Sequence, residues 1–317
     1  MLTIQSFIFD QMKSRIKLFV LVMMTNAASA QYIPKFDLQG HRGARGLKPE
    51  NTIPAFITAL NYGVTTLEMD VVISKDKQVI LSHEPWMSAE ICLKPDSTPI
   101  AKADEKTFAI FQMDYKEVVT FDCGSKIHVR FPEQEKIAVY KPLLRDVIVA
   151  VENHIKSYSH YEVDYNIEIK STKAGDKKFH PAPDEYSDIV FRLIDQYLPW
   201  ERVVIQSFDF RVLKYWKKKY PRVRLAALVE NSNSAEANLR TLGFLPSVYS
   251  PDFKFLNPEI ISSLRQKKIR VIPWTVNEPE DMMRFKSWGV DGIITDYPNR
   301  AAELGLGLKR NGNGISK

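Results

Sequence analysis

Short runs of strand-forming residues alternate with segments long enough to hold a helix from Asp37 onward. We predict eight strands, which are Asp37–His41, Thr66–Ile73, Tyr165–Lys170, Val203–Ser207, Leu225–Val229, Ser247–Ser250, Ile269–Val276 and Gly292–Thr295. Strands separated by helices form parallel sheets, and eight such units favour a closed (β/α)8 TIM barrel of the α/β class. An open doubly wound sheet is the alternative, but no glycine-rich dinucleotide fingerprint follows the first strand.

One long segment interrupts this alternation after the second strand. Residues 74–164 are too many for one helical crossover, and Val79–Ser82 is predicted to add a strand there. Residues 86–142 carry both cysteines and four prolines, so we interpret them as an insertion over one end of the barrel. Segments of this kind commonly shape a site. The barrel domain is expected over residues 37–304, with a flexible tail at 305–317.

The first thirty residues have the layout of a secretory signal peptide. Three basic residues between positions 13 and 17 precede the apolar run Leu18–Met24, and Ala28-Ser29-Ala30 forms a small-residue cleavage site. We therefore expect export, to a periplasm or to the outside of the cell. A membrane anchor is the alternative, but the run is shorter than the ~20 residues that span a bilayer. Met12 is an alternative start.

Net charge and cysteine content limit the kinds of ligand and the cellular compartment that fit this sequence. Removing residues 1–30 takes away three basic residues and one acidic residue, so the net charge falls from +6 to +4. This mild excess suits an anionic small molecule and is too small to indicate nucleic-acid binding. In an exported protein, Cys92 and Cys123 are expected to form a disulfide, and two unpaired buried thiols are the alternative.

Three carboxylates fall on the polar faces of two predicted strands. Alternation along the second strand turns Glu68 and Asp70 away from its apolar side chains, and Glu168 does the same on the third. Carboxylates inside a barrel are costly unless they are paired or bind a cation. Three oxygen ligands suit Ca²⁺ or Mg²⁺. Ion pairs with Lys170 and Arg42 are the alternative, and both arrangements can hold at once.

Two histidines end strands on the same side of the predicted barrel. His41 closes the first strand and His83 follows the added strand, so both lie at carboxyl ends, where barrel active sites form. Hydrolysis of a phosphodiester needs one group to accept a proton and another to donate one, and two histidines can divide these roles. Arg42 can present a planar fork to phosphate oxygens.

Aromatic and amide residues at other strand ends are weaker candidates for substrate binding. Trp274 ends the seventh strand, and Gln206 and Phe208 end the fourth. At a barrel mouth, Trp274 could cover a glycerol-like group, whereas core packing is the alternative reading for a tryptophan.

Several segments of the sequence resemble the motifs of glycerophosphodiester phosphodiesterases, and they occur in the same order as in that family. They are His41-Arg42-Gly43, Pro49-Glu50-Asn51-Thr52, Ala55-Phe56, Glu68-Met69-Asp70-Val71, Lys75-Asp76, His83, Asn166-Ile167-Glu168-Ile169-Lys170, Gln206-Ser207-Phe208, Trp274-Thr275-Val276-Asn277 and Gly289-Val290-Asp291-Gly292-Ile293-Ile294-Thr295-Asp296. The likeness runs from about residue 37 to residue 300. One departure is Glu84, where the family often has Asp after the second histidine.

The resemblance implies a barrel with an insertion after strand two and a site built from three kinds of residue. These are Glu68, Asp70 and Glu168 as ligands of Ca²⁺ or Mg²⁺, His41 and His83 as general acid and base, and Arg42 and Lys170 as phosphate contacts. It also implies release of glycerol 3-phosphate and an alcohol, through a cyclic phosphate formed by the substrate's own hydroxyl.

Two other functions remain open at this point. A related phosphodiesterase acting on lysophospholipids could use the same histidines, although residues 86–142 show no clear amphipathic helix for a membrane rim. A protein that binds glycerophosphodiesters without cleaving them is the second alternative. In either case we expect a small-molecule partner, no nucleic acid and no stable membrane anchor.

Overall fold

A computed structural model describes residues 35–159, 161–311 and 314–316 of the chain. The predicted signal peptide at residues 1–30 lies outside this part. Among the residues described, no helix has both the length and the apolar character needed to cross a membrane.

The strands form one large sheet and a small terminal ribbon. Their bounds are β1 Asp37–Gly40, β2 Thr66–Ile73, β3 Val79–Leu81, β4 Asp164–Ile169, β5 Val203–Ser207, β6 Arg224–Val229, β7 Val248–Pro251, β8 Arg270–Val271, β9 Gly292–Thr295, β10 Lys309–Asn311 and β11 Gly314–Ser316. Parallel pairing follows the order β8-β7-β6-β5-β4-β2-β1-β9, β3 pairs antiparallel with β2, and β10 pairs with β11.

The two ends of the parallel sheet meet, which closes the barrel. The Asp291 N–H donates to the Val271 carbonyl at 2.9 Å, and the Ile294 N–H donates to the Pro273 carbonyl at 2.9 Å. The Val276 N–H also donates to the Ile294 carbonyl at 2.9 Å. The prediction of an α/β barrel is therefore confirmed.

Helices alternate with the barrel strands. They are α1 Ile53–Asn61, α2 Tyr115–Val118, α3 Leu144–His154, α4 Pro183–Tyr197, α5 Phe210–Lys219, α6 Ala235–Leu242, α7 Pro258–Gln266, α8 Pro279–Trp288 and α9 Pro298–Glu303. The start of α1 shows why they form here: the Thr52 hydroxyl accepts a hydrogen bond from the Ala55 N–H at 3.3 Å, and Pro54 lies in the first turn. The apolar faces of most of these helices share one core cluster with the outward side chains of the strands.

Seven predicted strands agree with the structure to within one residue at each end. The prediction of Ile269–Val276 is too long, because only Arg270–Val271 forms a ladder. Pro273 has no N–H to donate, which limits the ladder. The segment nevertheless continues along β7, where the Ile272 N–H donates to the Tyr249 carbonyl at 3.1 Å.

The insertion after β3 has a core of its own. Its buried side chains include Met87, Ile110, Val118 and Phe121, and they pack against Ile80 of β3. Cys92 and Cys123 form a disulfide within this core, as expected. The next barrel helix, α3, begins at Leu144, directly after the predicted boundary. The insertion therefore lies beside the strand that ends just before His83.

Candidate active site

The carboxyl halves of the parallel barrel strands, together with the turn after the antiparallel strand β3 that carries His83, bring all nine sequence-predicted site residues together. Eight of them line one cavity of about 440 Å³: His41, Arg42, Glu68, His83, Glu168, Lys170, Gln206 and Trp274. The ninth, Asp70, is buried below the cavity floor, with a carboxylate oxygen within 4.8 Å of oxygens of Glu68 and Glu168.

A tight turn after β1 places His41 and Arg42. Arg42 and Gly43 have φ values of 51° and 84°, a left-handed geometry that glycine adopts without strain. A Cβ on Gly43 would lie 2.6 Å from the carbonyl carbon of Ala55, so the turn also needs glycine for space. The turn aims the Arg42 N–H at Oε2 of Glu68, at 2.8 Å.

Strand register explains the carboxylate cluster. Asp70 of β2 lies opposite Glu168 of β4, and Glu68 precedes Asp70 by two residues on the same face. Burial, followed by repulsion from Asp70 and Glu168, raises the pKa of Glu68 well above its usual value. Burial likewise raises the pKa of Glu168 to about 7. Asp70 differs, because the charges of Arg42 and Lys170 outweigh burial and hold its pKa below the usual range.

The cluster fits a hard divalent cation. All three side chains are buried, and Oδ1 of Asp70 accepts no hydrogen bond from any described residue. Carboxylate oxygens with free lone pairs are the donors that Ca²⁺ and Mg²⁺ prefer. A cation would also offset the repulsion that raises the pKa of Glu68. Glu68, Asp70 and Glu168 are thus the residues that could hold such an ion.

Neighbouring side chains hold the three carboxylates in place. Gln206 Nε2 donates to Glu68 Oε1 at 2.7 Å, and Asn51 Nδ2 donates to Asp70 Oδ2 at 2.8 Å. Lys170 Nζ lies 2.8 Å from Glu168 Oε1. Such contacts orient metal ligands. The amide of Gln206 is therefore engaged with Glu68, and its predicted contact with substrate stays a prediction.

The ion pairs weighed from sequence are also present. Arg42 Nε lies 3.3 Å from Asp70 Oδ2, and Arg42 Nη1 donates to both oxygens of Glu50 at 3.0 Å. Although burial opposes it, the charge of Arg42 lowers the pKa of Glu50 to about 2. The guanidinium of Arg42 is thereby fixed at the edge of the cavity.

Asp296 holds the first histidine. The carboxylate can only accept, so His41 Nδ1–H donates to Asp296 Oδ1, at 2.7 Å. Arg45 donates to both oxygens of the same carboxylate, at 2.7 and 3.0 Å. Burial, and then the charge of Arg45, lower the pKa of His41 to about 4. The neutral ring therefore keeps a lone pair on Nε2, which lies 4.0 Å from Glu68 Oε2.

Glu84 holds the second histidine. His83 Nδ1 lies 2.9 Å from Glu84 Oε1, so the glutamate found where the family often has aspartate does reach the ring. Burial, and then the charge of Lys170, lower the pKa of His83. The side chain is 30% exposed, compared with 12% for His41. His83 is thus the histidine more open to the mouth of the site.

Part of the cavity lining is apolar, and it includes Phe208, Leu228, Trp274 and Ile294. Val204, Ala226, Val248, Ile272 and Ile294 form an inward-facing cluster against which Trp274 packs. Trp274 Nε1 donates to the Ser250 carbonyl at 2.9 Å, and the Phe208 ring meets the indole edge-on, at 5.4 Å between centroids.

A second cavity, which we call the aromatic groove, adjoins the first. It has a volume of about 440 Å³ and is lined by Pro85, Trp86, Phe179 and Phe208 among others. His83, Glu168, Lys170 and Phe208 line both cavities. An apolar part of a bound molecule could therefore extend from the site into this groove.

Sequence reasoning assigned no role to Asp296, Arg45 or Glu50. Asp296 directly follows β9, which is the same strand-end position that identified His41, and this signal could have found it. Arg45 and Glu50 belong to the loop after β1 and offer no comparable signal. Their function becomes visible only through contacts with Asp296 and Arg42.

Comparison with known proteins agrees with this geometry. A model of the glycerophosphoryl diester phosphodiesterase family matches residues 41–300. A glycerophosphodiester phosphodiesterase of Caldanaerobacter subterraneus is 29% identical over 264 residues, covering 83% of this chain and 95% of the relative. A solved structure from Silicibacter pomeroyi, assigned to the same family, has a TM-score of 0.76 and 27% identity, covering 88% of this chain and 96% of its own.

A further solved structure is similar in fold. It is an Oleispira antarctica phosphodiesterase in complex with the product sn-glycerol-3-phosphate, with a TM-score of 0.66 and 19% identity, covering 85% of this chain and 96% of its own. The family match spans most of the chain and includes every candidate site residue. The chain therefore belongs to the glycerophosphoryl diester phosphodiesterase family.

Proposed function

We propose that this protein hydrolyses glycerophosphodiesters to glycerol 3-phosphate and an alcohol, with a bound divalent cation. The observation that carries the proposal is the placement of two histidines beside three clustered carboxylates in one cavity. Membership of a phosphodiesterase family supports the same reaction. The cation, when bound at Glu68, Asp70 and Glu168, supplies a Lewis acid next to the phosphate.

The two histidines divide the proton transfers. One starts neutral and accepts, at Nε2, the proton of the substrate's free glycerol hydroxyl as that oxygen attacks phosphorus. The other starts as the imidazolium and gives its Nε2 proton to the departing alcohol oxygen. A cyclic phosphate and a free alcohol result. Water then opens the ring with the histidine roles reversed, which returns both to their starting states. Asp296 and Glu84 keep the proton on Nδ1 of His41 and His83, so that each Nε2 is available.

Cationic side chains bind and orient the phosphate. Arg42 and Lys170 line the cavity, and carboxylates hold both of them, Glu50 pairing with Arg42 and Glu168 with Lys170. Charge-assisted hydrogen bonds from such groups to phosphate oxygens are stronger than neutral ones. Trp274 and Phe208 form the apolar wall against which the glycerol or alcohol carbons pack.

The first test is release of glycerol 3-phosphate from glycerophosphocholine, with Ca²⁺, with Mg²⁺ and after chelation. We expect cation-dependent release and a loss of about 10²–10⁴-fold in kcat for His41→Ala, because a general acid–base group is removed. His154→Ala, on α3 and away from the cavity, is the control and should retain activity. Binding without turnover under any divalent cation would instead indicate a non-catalytic binding protein.

The aromatic groove favours a second candidate substrate class. Its apolar walls adjoin the site at His83 and Phe208, where the acyl chain of a lysophospholipid could lie. Comparing kcat/KM for lysophosphatidylcholine and glycerophosphocholine distinguishes the two classes. A higher value for the lysophospholipid, lowered selectively by Trp86→Ala, would move the assignment to that class.

We also propose that the protein is exported. The signal-peptide layout of residues 1–30 supports this, and the disulfide between Cys92 and Cys123 is the kind of bond that persists in oxidising compartments. Expression of the full chain should yield a mature form that begins at Gln31. Amino-terminal sequencing of the cell-associated and exported fractions checks this, and an uncleaved intracellular product would contradict it.

A further inference from the structure

A third cavity adjoins the active site on the side of the insertion. It has a volume of about 190 Å³, several times the ~30 Å³ that a water molecule occupies in the liquid. Arg42, Arg45, His83 and Arg130 line both this cavity and the main site. We call it the side cavity. Its position beside Arg42 and His83 places it next to one end of a phosphodiester bound between them.

Lys141 lines the side cavity and is buried, with 6% of its surface exposed. It is the one buried lysine in the described part of the chain. No carboxylate of that part lies within ion-pairing distance of its ammonium group, which also forms no hydrogen bond there. Burial lowers the pKa of Lys141, whereas the more distant charges of Glu50 and Glu84 raise it. A buried cation without a partner is costly unless something binds it.

The acidic residues of the side cavity already have partners. Both oxygens of Glu50 accept from Arg42, and both oxygens of Glu90 accept from Arg130, at 2.9 and 3.2 Å. Glu84 is engaged with His83. The cavity therefore offers an unpaired cation and no unpaired carboxylate, a combination that selects for an anion.

A hydroxyl donor lies in the same cavity. Ser88 is buried, and its oxygen accepts a hydrogen bond from the Glu90 N–H at 3.2 Å. Its own proton donates to none of the described residues. Ser88 and Lys141 can thus both donate to one small anionic group, such as a carboxylate.

Backbone bonds fix Lys141 relative to the catalytic residues. The carbonyl of the next residue, Pro142, accepts from the Leu81 N–H at 2.9 Å, and Leu81 ends the strand that leads to His83. The Lys141 carbonyl accepts from the Tyr115 hydroxyl at 3.4 Å. The backbone at Lys141 is therefore anchored by the same strand that delivers His83.

Resting on the proposed function, we infer that the side cavity binds an anionic substituent on the alcohol half of the substrate, so that Lys141 determines head-group specificity. A carboxylate is the smallest such substituent. Glycerophosphoserine and glycerophosphoethanolamine form a matched pair of probes, because they differ by one carboxylate.

The test measures kcat/KM for both probes with wild-type protein, Lys141→Met and Lys136→Met. The last variant removes an exposed lysine of the same insertion and is the control. We expect wild type and the control to prefer glycerophosphoserine. Lys141→Met should lower this preference by about 10-fold or more, the effect of losing a hydrogen bond to a charged group.

Thermal unfolding tests whether the variant is folded. Methionine keeps the length of the side chain and removes the buried charge, so Lys141→Met should melt at a temperature no lower than wild type. Ser88→Ala is the second variant and should lower the same preference by a smaller factor.

Three results would overturn the inference. The first is a wild-type ratio of kcat/KM between the two probes near one, as expected if the cavity holds only a free anion. The second is an unchanged ratio in Lys141→Met. The third is an equal loss of kcat/KM on both probes in Lys141→Met, as expected if Lys141 acts in catalysis itself. Absence of turnover with either probe in wild type would refute the proposed function instead, so the two failures are distinguishable.

Discussion

His41 depends on Asp296 for the position and tautomer of its ring. The carboxylate is 1% exposed and accepts from three side chains, since Asn277 Nδ2 donates at 2.8 Å in addition to His41 and Arg45. Opposing burial, the charges of Arg45 and His41 hold the pKa of Asp296 below its usual range. In the proposed mechanism, Asp296 is thus a positioning residue, which acts on substrate only through His41.

Asp296→Asn should lower kcat about 10- to 100-fold while KM changes little, because the amide can no longer enforce the Nδ1–H tautomer of His41. Kinetics with glycerophosphocholine, set beside a melting curve, give the measurement. Unchanged kcat in a folded variant, or a loss confined to KM, would contradict the positioning role.

At the level of residues, spatial placement was predictable where the sequence signal was local. Alternation within β2 and β4 was enough to gather Glu68, Asp70 and Glu168, since the register of adjacent strands then places them together. The strand-end position of Asp296 is visible in the sequence, but its contact with His41 is not, because the two residues are 255 positions apart and meet only when β9 pairs with β1. Nothing in the sequence distinguished Lys141, because burial and the lack of an ion-pair partner are properties of the folded chain.

At the scale of elements, one ionic contact joins α3, β4 and the turn before β5. Arg202 donates to both oxygens of Glu152, at 2.7 and 3.1 Å, and the Tyr165 hydroxyl donates to Glu152 Oε1 at 2.6 Å. Against burial, the hydrogen bonds from Arg202 and Tyr165 lower the pKa of Glu152. Tyr165 lies near the start of β4, whereas Glu168 lies near its end, so we expect this contact to contribute to stability and not to catalysis.

Glu152→Gln should lower the free energy of unfolding by about 1–3 kcal/mol at pH 7, since hydrogen bonds to a charged acceptor are lost. The folded-state pKa lies below the unfolded value of about 4.3, so the contribution is complete above that pH and declines as pH falls through the folded pKa. In urea unfolding, the difference in free energy of unfolding between wild type and Glu152→Gln should be smaller at pH 3.5 than at pH 7.

Glu185→Gln is the control for this experiment. Its partner Lys77 and Glu185 itself are about half exposed, so the change should cost under about 1 kcal/mol. An equal loss in both variants, or a gap between wild type and Glu152→Gln that widens in acid, would contradict the assignment.

Element boundaries were predictable where hydrogen bonds and hydrophobic pattern coincide. β2 was placed to the residue because its whole length is buried between β1 and β4. β8 was not, because Pro273 removes a donor in a segment whose apolar pattern continues. The internal structure of the insertion was also beyond prediction, since it depends on a disulfide and on a small core rather than on periodicity.

For the whole molecule, the carboxylate cluster predicts a link between cation binding and stability. Burial, and then repulsion from Asp70 and Glu168, raise the pKa of Glu68. A cation that binds only the folded state stabilises it by about 2.7 kcal/mol at a concentration one hundred times its Kd. Millimolar Ca²⁺ or Mg²⁺ should therefore raise the melting temperature of wild type by several degrees.

Glu168→Gln should lose most of this rise and, without cation, melt no lower than wild type, because one source of repulsion is gone. Differential scanning calorimetry with and without each ion makes the comparison, and it does not depend on turnover. An equal rise in melting temperature in wild type and Glu168→Gln would indicate that the ion binds elsewhere.

The two histidines belong to different parts of the architecture. His41 stands on the barrel wall, while His83 follows a hairpin strand that leads directly into the disulfide-linked insertion. The side cavity and part of the aromatic groove are walled by that same segment. We therefore expect that residues 84–141 can be exchanged between homologues as one unit, provided that the packing against Val72 and Ile80 is kept. Exchanging this segment between homologues should change substrate preference, in laboratory engineering as in evolutionary divergence. The candidate cation ligands and His41 would stay in the unchanged barrel.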